Sequence, residues 1–157
     1  MNGEHTKFWQ SNELGSSFEV LVATYVTHTF TRHTHEGFAI GVIERGGESF
    51  YYRGQNHNAP PGSVVVICPG EVHTGQAITA QGWTYRMLYP NAELLARAAS
   101  EVAGVERGIP FFNSPVIHDP VLFENMRQTH NILEQSTSTL ERETRLLWTL
   151  IQLVRRH

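Results

Sequence analysis

The sequence predicts a mainly β fold, built as a β-sandwich or small barrel and followed by α-helices near the C-terminal end. Three observations predict it: the first 90 residues are rich in Val, Thr, Tyr and Phe, clusters of Gly, Pro and Asn interrupt them, and helix-capping patterns begin only after Pro90. The 157 residues, 40% hydrophobic and 17% charged, are enough for one globular domain with a substantial core.

The strand-forming segments are short and end at turn residues. Residues 18–30 and 82–89 combine β-branched and aromatic side chains, which suit a pleated surface. Residues 63–68 form a continuous apolar run that is typical of a buried strand. Residues 38–54 contain two strands joined by a turn at Arg45-Gly46-Gly47, where glycine can adopt a positive φ.

Three helices are expected after the β half. Asn91 can cap a short helix near 91–103. Asp119, followed by proline at the first helical position, opens a second helix. A Ser-x-x-Glu capping box that starts at Ser138 opens the last helix, which continues to the end of the chain.

The last helix carries a broad apolar stripe. Leu140, Leu147, Ile151 and Val154 recur at the spacing of one helix face, and leucines at positions 146, 150 and 153 widen that face. The stripe can pack against the barrel or the preceding helix, or it can meet the same helix of a second subunit. We expect the first four of these residues to form a dimer interface.

Charge and cysteine content narrow the function classes. The net charge of −3 and the pI of about 6.3 disfavour direct nucleic-acid binding, which needs a basic patch. The single cysteine, Cys68, cannot form an internal disulfide. The N-terminal residues lack the apolar core of a signal peptide, and no run approaches the roughly 18 apolar residues of a membrane span. We therefore expect a cytoplasmic protein.

Nine histidines are an unusual feature of the composition. His33 and His35 stand two residues apart at the start of an apolar strand, so their side chains point the same way. His73 ends a later segment and can join them from a neighbouring strand. Three such imidazoles can hold a divalent metal, line a ligand pocket, or pack in the core.

These two segments resemble the signature motifs of the cupin superfamily, and the resemblance implies a jelly-roll β-barrel. The matching residues are His33, His35, Gly62, Gly70 and His73. The glutamate of the first motif falls on Ala39 or Ile40, and the proline of the second falls on Cys68. The fourth protein ligand of a metal cupin is thus missing. We expect no cofactor, with Zn, Fe or Ni at the three histidines as the alternative.

A longer pattern narrows the resemblance to one family. Arg-His-x-His at 32–35, a Gly-Gly turn, Pro-Gly-x-Val-Val-Val-Ile-x-Pro-Gly-x-x-His over 61–73, Gly-Trp-x-Tyr-Arg-x-Leu-Tyr over 82–89 and a final Arg-Arg-His are together similar to the N-terminal sensing domain of AraC-family transcription regulators. The resemblance covers roughly residues 15–157. It implies a cupin-like barrel that binds an effector, helices that dimerise, and a separate DNA-binding domain with two helix-turn-helix units.

From this resemblance we expect three parts in the chain. Residues 1–14 would be an arm that closes over the ligand, or a disordered tail. Residues 15–118 would form the barrel with its short helix, and residues 119–157 a helical pair for dimerisation. The DNA-binding domain would be absent from this chain, which would not be an enzyme. The effector would be a small organic compound, with a sugar, an aromatic or carboxylic molecule and an amino-acid derivative all open.

Strand alternation predicts the lining of the pocket. If Ala39 takes the position of the motif glutamate, then Ala39, Gly41 and Ile43 face inward, and two small side chains leave room for a ligand. Trp83 and Tyr85 share one face of a later strand and can contact a ring-shaped ligand, unless Trp83 fills the room itself. The expected ligand-contacting residues are His33, His35, Ala39, Gly41, His73, Trp83 and Tyr85.

Two other functions stay open on the sequence. One is a small metal-dependent cupin enzyme, an isomerase or dioxygenase, with a metal on His33, His35 and His73 and with Tyr85 or His57 as general acid or base. The missing glutamate disfavours it. The other is an oligomeric binding protein with no attached regulator.

Overall fold

A computed structural model describes residues 3–157 and contains two antiparallel sheets with three helices packed against one of them. The strands are β1 (His5–Glu13), β2 (Ser16–Tyr25), β3 (Phe30–His33), β4 (Ala39–Arg45), β5 (Glu48–Tyr52), β6 (Gln55–Ala59), β7 (Val64–Ile67), β8 (His73–Ala77), β9 (Trp83–Tyr89) and β10 (Val116–Ile117). The helices are α1 (Ala92–Ala103), α2 (Pro120–Gln135) and α3 (Thr139–Arg156). The predicted mainly β fold with helices after Pro90 is confirmed.

The two sheets enclose the interior of a barrel. One has six strands in the order β1-β2-β9-β4-β7-β10, and the other has four in the order β3-β8-β5-β6. Apolar residues from both sheets form one buried cluster between them. Its members are Leu21, Ala23, Ala39, Ile43, Phe50, Tyr52, Ala59, Val65, Ile67, Trp83, Tyr85 and Met87.

The outer face of the six-stranded sheet packs against the helices in a second cluster. Val64 and Val66 of β7 join this cluster, while Val65 and Ile67 point into the barrel. A sheet that is covered on both faces needs apolar residues at consecutive positions. This double burial explains the unbroken apolar run at residues 63–68.

The turn at Gly46-Gly47 is a corner between the sheets. It joins β4 to β5, as predicted, but the two strands do not pair, because β4 lies in the six-stranded sheet and β5 in the four-stranded one. Gly46 has a φ of 79°, and a Cβ there would lie 1.9 Å from the backbone oxygen of Gly82. The close approach of the Gly82 segment therefore requires glycine at this corner.

The N-terminal segment contributes a strand to the six-stranded sheet, where residues 1–14 were expected to form an arm over the ligand or a disordered tail. His5–Glu13 form β1 and pair with β2 along the whole strand, while residues 1 and 2 lie outside the described residues. Trp9 packs edge-on against His130 of α2, with ring centroids 5.7 Å apart. Most other β1 side chains are exposed, so this edge strand lacks the apolar alternation that would have predicted it.

The helix starts predicted from capping residues are confirmed. The side chains of Asn91, Asp119 and Ser138 each accept a hydrogen bond from the backbone N–H three residues later. A Pro at the first position of α2 fits because its missing N–H would have no helical partner. Within residues 3–157, no helix is both long and apolar enough to cross a bilayer.

The last helix divides its apolar stripe between core and surface. Leu146, Thr149, Leu150 and Leu153 are fully buried where α3 packs against α1 and α2. Of the predicted interface residues, Leu147, Ile151 and Val154 are half-buried, and Leu140 is 77% exposed. The leucines at positions 146, 150 and 153 thus pack in the core. The four predicted interface residues lie at the edge of this contact or outside it.

Candidate ligand-binding site

A cavity of about 490 Å³, its open mouth included, lies inside the barrel between the two sheets. Its wall is mainly apolar and aromatic with a few polar groups, which is the usual lining of a small-molecule site. Strands β3, β4, β5, β7, β8 and β9 all contribute to its wall. The lining residues are Phe30, His33, His35, Ala39, Glu48, Phe50, Val65, Ile67, His73, Thr74, Tyr85, Met87 and Tyr89.

The three predicted histidines meet at one end of this cavity. Strands β3 and β8 pair with His33 opposite His73, and His35 follows two residues after the end of β3. The ring centroids of His33 and His73 are 4.2 Å apart, and that of His35 lies 5.0 Å from the first and 5.2 Å from the second. The spacing expected from strand alternation and neighbouring strands therefore brings all three imidazoles together.

Backbone carbonyls set the orientation of two of these rings. His33 Nδ1–H donates to the Thr31 carbonyl at 2.7 Å, and His73 Nδ1–H donates to the Glu71 carbonyl at 3.1 Å. Because a carbonyl can only accept, each Nε2 keeps its lone pair. Burial lowers the pKa of His73 to about 4 and also lowers the pKa of His35. Both imidazoles are therefore neutral near pH 7.

The histidine cluster has the donor set of a three-nitrogen metal site. One ligand atom from each ring lies within 4.8 Å of the others, whereas zinc bonds of about 2.0–2.1 Å require nitrogens about 3.4 Å apart. Modest side-chain rotation would bring the three onto one ion. Metal-binding histidines commonly donate their other N–H to a backbone carbonyl, as two do here. Ala39 lines the cavity at the motif glutamate position and offers no ligand atom.

A carboxyl group that the sequence interpretation missed also lines the cavity. Glu48 opens β5, is 8% exposed, and accepts no hydrogen bond from any other described residue. Burial raises its pKa to about 8, because a charged carboxylate is costly away from water. Burial also raises the pKa values of the Tyr85 and Tyr89 phenols, and the nearby charge of Glu48 adds to both rises. These phenols remain neutral hydrogen-bond donors.

Two of the seven expected ligand-contacting residues lie outside the cavity lining. A Cβ at Gly41 would lie 2.3 Å from Met87 Sδ, so the methionine of the adjacent strand fills the room that a glycine was expected to leave. Trp83 is 1% exposed and packs against Tyr25 and Tyr85, with centroids 5.3 and 5.6 Å away. At Gly41 and Trp83, large side chains therefore fill part of the barrel interior, which was the alternative to a ligand contact.

His57, named as a general acid or base for an enzyme, is also outside the lining. Its Nε2 lies 3.1 Å from the Tyr52 carbonyl, to which it donates, and its ring stacks on Phe50 at 5.4 Å. Tyr85 does line the cavity. Of the two candidates for a general acid or base, only Tyr85 therefore shares the cavity with the histidines.

Residues 15–150 match the family of AraC-like ligand binding domains. The chain belongs to this family. A curated relative, the uncharacterized HTH-type transcriptional regulator YbfI of Bacillus subtilis (strain 168), is 23% identical over 132 residues. The match covers 84% of this AraC-like domain and 48% of that regulator, so the chain spans about half the length of its relative.

Solved structures show that the AraC-like domain has the expected cupin barrel. An RmlC-like cupin family protein from Methanocaldococcus jannaschii, described as a double-stranded β-helix, superposes with a TM-score of 0.51 at 11% identity, over 58% of this chain and 83% of that one. A cupin-like protein from Thermotoga maritima gives a TM-score of 0.50 at 21% identity, over 59% and 72%. These similarities confirm the fold.

Strand alternation could have identified Glu48 in the AraC-like domain. Along β5, Glu48, Phe50 and Tyr52 are buried and the residues between them are more exposed. A glutamate in register with two inward aromatic residues must enter the barrel. The other lining residues that the sequence interpretation did not name are Phe30, Phe50, Val65, Ile67, Thr74, Met87 and Tyr89.

Proposed function

We propose that this AraC-like domain senses a small organic effector in its barrel cavity, dimerises through α3, and thereby controls an attached helix-turn-helix DNA-binding domain. Its role is regulatory rather than catalytic, and the parent protein acts in the cytoplasm. The family match and the HTH-type relative support the regulatory part. The observation that carries effector binding is the set of unpaired polar groups that face the cavity.

These groups are the carboxyl of Glu48 and the phenols of Tyr85 and Tyr89. All three line the cavity, and neighbouring protein groups donate no hydrogen bond to any of them. Their polar atoms are not among the fully enclosed unpaired atoms of the described residues, so a molecule in the cavity can reach them. A bound molecule would supply the partners that the surrounding protein does not.

Strand β9 supports a connection from the cavity to the helices. Its residues Tyr85, Met87 and Tyr89 line the cavity, while Arg86 points to the other side and donates to His130 of α2 at 3.3 Å. His130 Nε2–H in turn donates to the Met87 carbonyl at 3.3 Å. A ligand that binds one position of β9 more tightly than another would bias the position of α2.

The outer side of α3 supports the proposed dimer. Leu140 and Trp148 are 77% and 48% exposed, and Leu147 and Ile151 are half-buried beside them. Contiguous exposed apolar side chains mark interaction surfaces. A second α3 packed on this side would remove them from water.

Filling the cavity provides a direct test of effector binding. Ala39 lines the cavity and is 3% exposed, so Ala39→Phe should occupy the ligand space at a cost of about 1–3 kcal/mol in stability. We expect sugars, amines and organic acids screened by thermal shift to include compounds that stabilise the wild type and not Ala39→Phe. Ala103→Phe, on the exposed end of α1, is the matched control and should respond as the wild type does.

The screen also has a result that would reject effector binding at this site. Compounds that stabilise Ala39→Phe as much as the wild type would bind elsewhere. In the longer parent protein, an effector found in this way should change the affinity for DNA. An unchanged affinity would separate ligand binding from regulation.

The histidine cluster favours a metal-dependent function as a second candidate. His33, His35 and His73 would hold the ion through neutral ring nitrogens, as the orientation of the rings allows. A metal bound by three protein ligands keeps open positions and supplies Lewis-acid chemistry to a ligand in the cavity. Metal content, as described in the Discussion, distinguishes the two candidates.

A further inference from the structure

A second polar group, the carboxyl of Glu48, lines the cavity near the histidines but apart from them. In the register of β5 and β8, Glu48 is paired with Ala77 and Tyr52 with His73. The Glu48 carboxyl reaches Gly75, which is two residues from His73 along β8, or roughly 7 Å between Cα atoms. Glu48 is not part of the group of residues that could share a metal with the histidines. The carboxyl and the histidines can therefore contact different parts of one ligand.

We propose that the effector carries an organic ammonium group and that Glu48 is its counter-ion inside the barrel. This inference rests on the proposed effector-binding function and adds the chemical class of the ligand. It narrows the expected small organic effector to a compound that carries a positive charge.

The carboxyl group of Glu48 has a prepared place in the barrel. Its residue is 92% buried, since 8% is exposed, and a Cβ at Gly75 of β8 would lie 2.7 Å from Glu48 Oε2. Glycine at position 75 thus leaves the space that the carboxyl occupies. A buried carboxylate requires a cation or several donors nearby, and the residues that the structure describes provide neither.

The cations near β5 are engaged elsewhere. Arg45, before the corner that leads into β5, lies 3.4 Å from Thr84 Oγ1, to which it donates. Arg53, after β5, forms an ion pair with Glu71 at 2.6 Å. No lysine or arginine occurs among the lining residues. An anionic effector would find no lysine or arginine in this lining, whereas an ammonium group can pair with the Glu48 carboxyl once that group gives up its proton.

The groups around Glu48 suit an organic cation. Phe30, Phe50, Tyr85 and Tyr89 all line the cavity with it. Aromatic faces attract ammonium groups through the negative charge of the ring face. The titratable neighbours are the two tyrosines, whose phenols stay neutral because burial and the Glu48 charge raise their pKa values. His57 of β6 stacks on Phe50, and His73 lies two residues before Gly75 along β8.

Binding of an ammonium group would release a proton. Burial raises the pKa of Glu48 to about 8, so near pH 7 the carboxyl of the empty site is mostly protonated. The ammonium displaces that proton: the O–H bond of Glu48 breaks, the carboxylate pairs with the cation, and H⁺ passes to the solvent. Affinity for an amine should therefore rise with pH until Glu48 is ionised in the empty site.

Matched compounds test the ammonium directly. Benzylamine, benzyl alcohol and benzoate share a ring and differ in charge, and butylamine, butanol and butyrate do the same without a ring. We expect the amines to stabilise the wild type in thermal shift and to bind in calorimetry with release of nearly one proton near pH 7, measured by comparing phosphate and Tris buffers. Glu48→Gln should weaken amine binding by about tenfold or more.

Glu36→Gln is the matched control, because Glu36 is exposed next to His35 and lies outside the lining. It should bind amines as the wild type does. Proton release by the wild type needs no variant, so the test holds even if Glu48→Gln folds poorly.

Three results would overturn the inference. They are equal or tighter binding of the alcohols or carboxylates, amine binding that is unchanged in Glu48→Gln, and amine binding without proton release. Each leaves effector binding in the cavity intact. A failure of all six compounds, and of the wider screen, to distinguish the wild type from Ala39→Phe would instead overturn the proposed function together with this inference.

Discussion

Replacing Glu48 with glutamine should change how the stability of the protein depends on pH. Burial raises the pKa of Glu48 from an ordinary 4.5 to about 8, so the folded protein keeps a proton that the unfolded chain releases. The free energy of unfolding therefore falls as the pH rises from the unfolded pKa of Glu48 to its folded pKa, by at most about 1.4 kcal/mol per pH unit. From about pH 6 to about pH 8, the wild type should lose about 2 kcal/mol relative to Glu48→Gln.

Urea unfolding followed by tryptophan fluorescence, at several pH values across that window, measures this difference. The histidines are common to both proteins and largely cancel, and the Tyr85 and Tyr89 phenols titrate above the window because burial raises their pKa values. Glu36→Gln, which removes an exposed carboxylate, should keep a constant difference from the wild type. A constant difference for Glu48→Gln as well would mean that the folded protein does not hold Glu48 protonated, and the argument from its burial would be wrong.

Three further predictions concern the dimer, the histidines and the sheet corner. Leu147→Glu, at a half-buried position of α3, should convert a dimer to a monomer in sedimentation. The control Val121→Glu, at a 58% exposed position of α2, should leave the dimer intact. Unfolding of Leu147→Glu would refute the assignment of Leu147 to the interface. Elemental mass spectrometry of untagged protein purified without chelator should find well under one Zn, Fe or Ni per chain, because the group of three histidines includes no carboxylate or thiolate whose negative charge would favour the cation. About one ion per chain, lost when His35 and His73 are both replaced, would favour the metal-dependent function. Gly46→Ala should lower the free energy of unfolding by more than about 1 kcal/mol. Gly54→Ala should lower it by less, because Gly54 has a similar φ of 82° but no atom lies within 4 Å of the added Cβ. Equal losses would show that the corner tolerates the methyl group.

Local chemistry explains why the sequence predicted the helices well. The caps at Asn91, Asp119 and Ser138 each join a side chain to a backbone N–H three residues away. Such an interaction depends on neighbours in the chain and is visible in the sequence without a tertiary structure. The same holds for the apolar run of β7, since a strand buried on both faces must be apolar throughout.

The histidine cluster was predictable for a different reason. His33 and His35 share a strand face by alternation alone, but the placing of His73 beside them required neighbouring strands, which the resemblance to the cupin motifs implied. The structure has His33 opposite His73 in the β3–β8 register. The family match to an AraC-like ligand-binding domain then agrees with the order of motifs along the chain.

The sequence alone did not determine how the strands are distributed between the sheets. A turn such as Gly46-Gly47 can close a hairpin or lead from one sheet to the other, and only the packing of the two sheets makes it a corner. Strand β1 was missed because its partner β2 supplies the hydrogen bonds and few of its own side chains are buried. Strand pairing depends on both segments, so the sequence of one segment alone indicates it only weakly.

The sequence by itself thus determined the mainly β fold, the helix starts and the grouping of His33 and His35, because each depends on residues close together in the chain. Tertiary structure decided which inward positions reach open space. Met87 fills the room beside Gly41, Trp83 is packed among aromatic rings, and Glu48 stands at the cavity without a partner. The physical reason is that free volume and the burial of charge are set by side chains from several strands at once, which no single stretch of sequence contains.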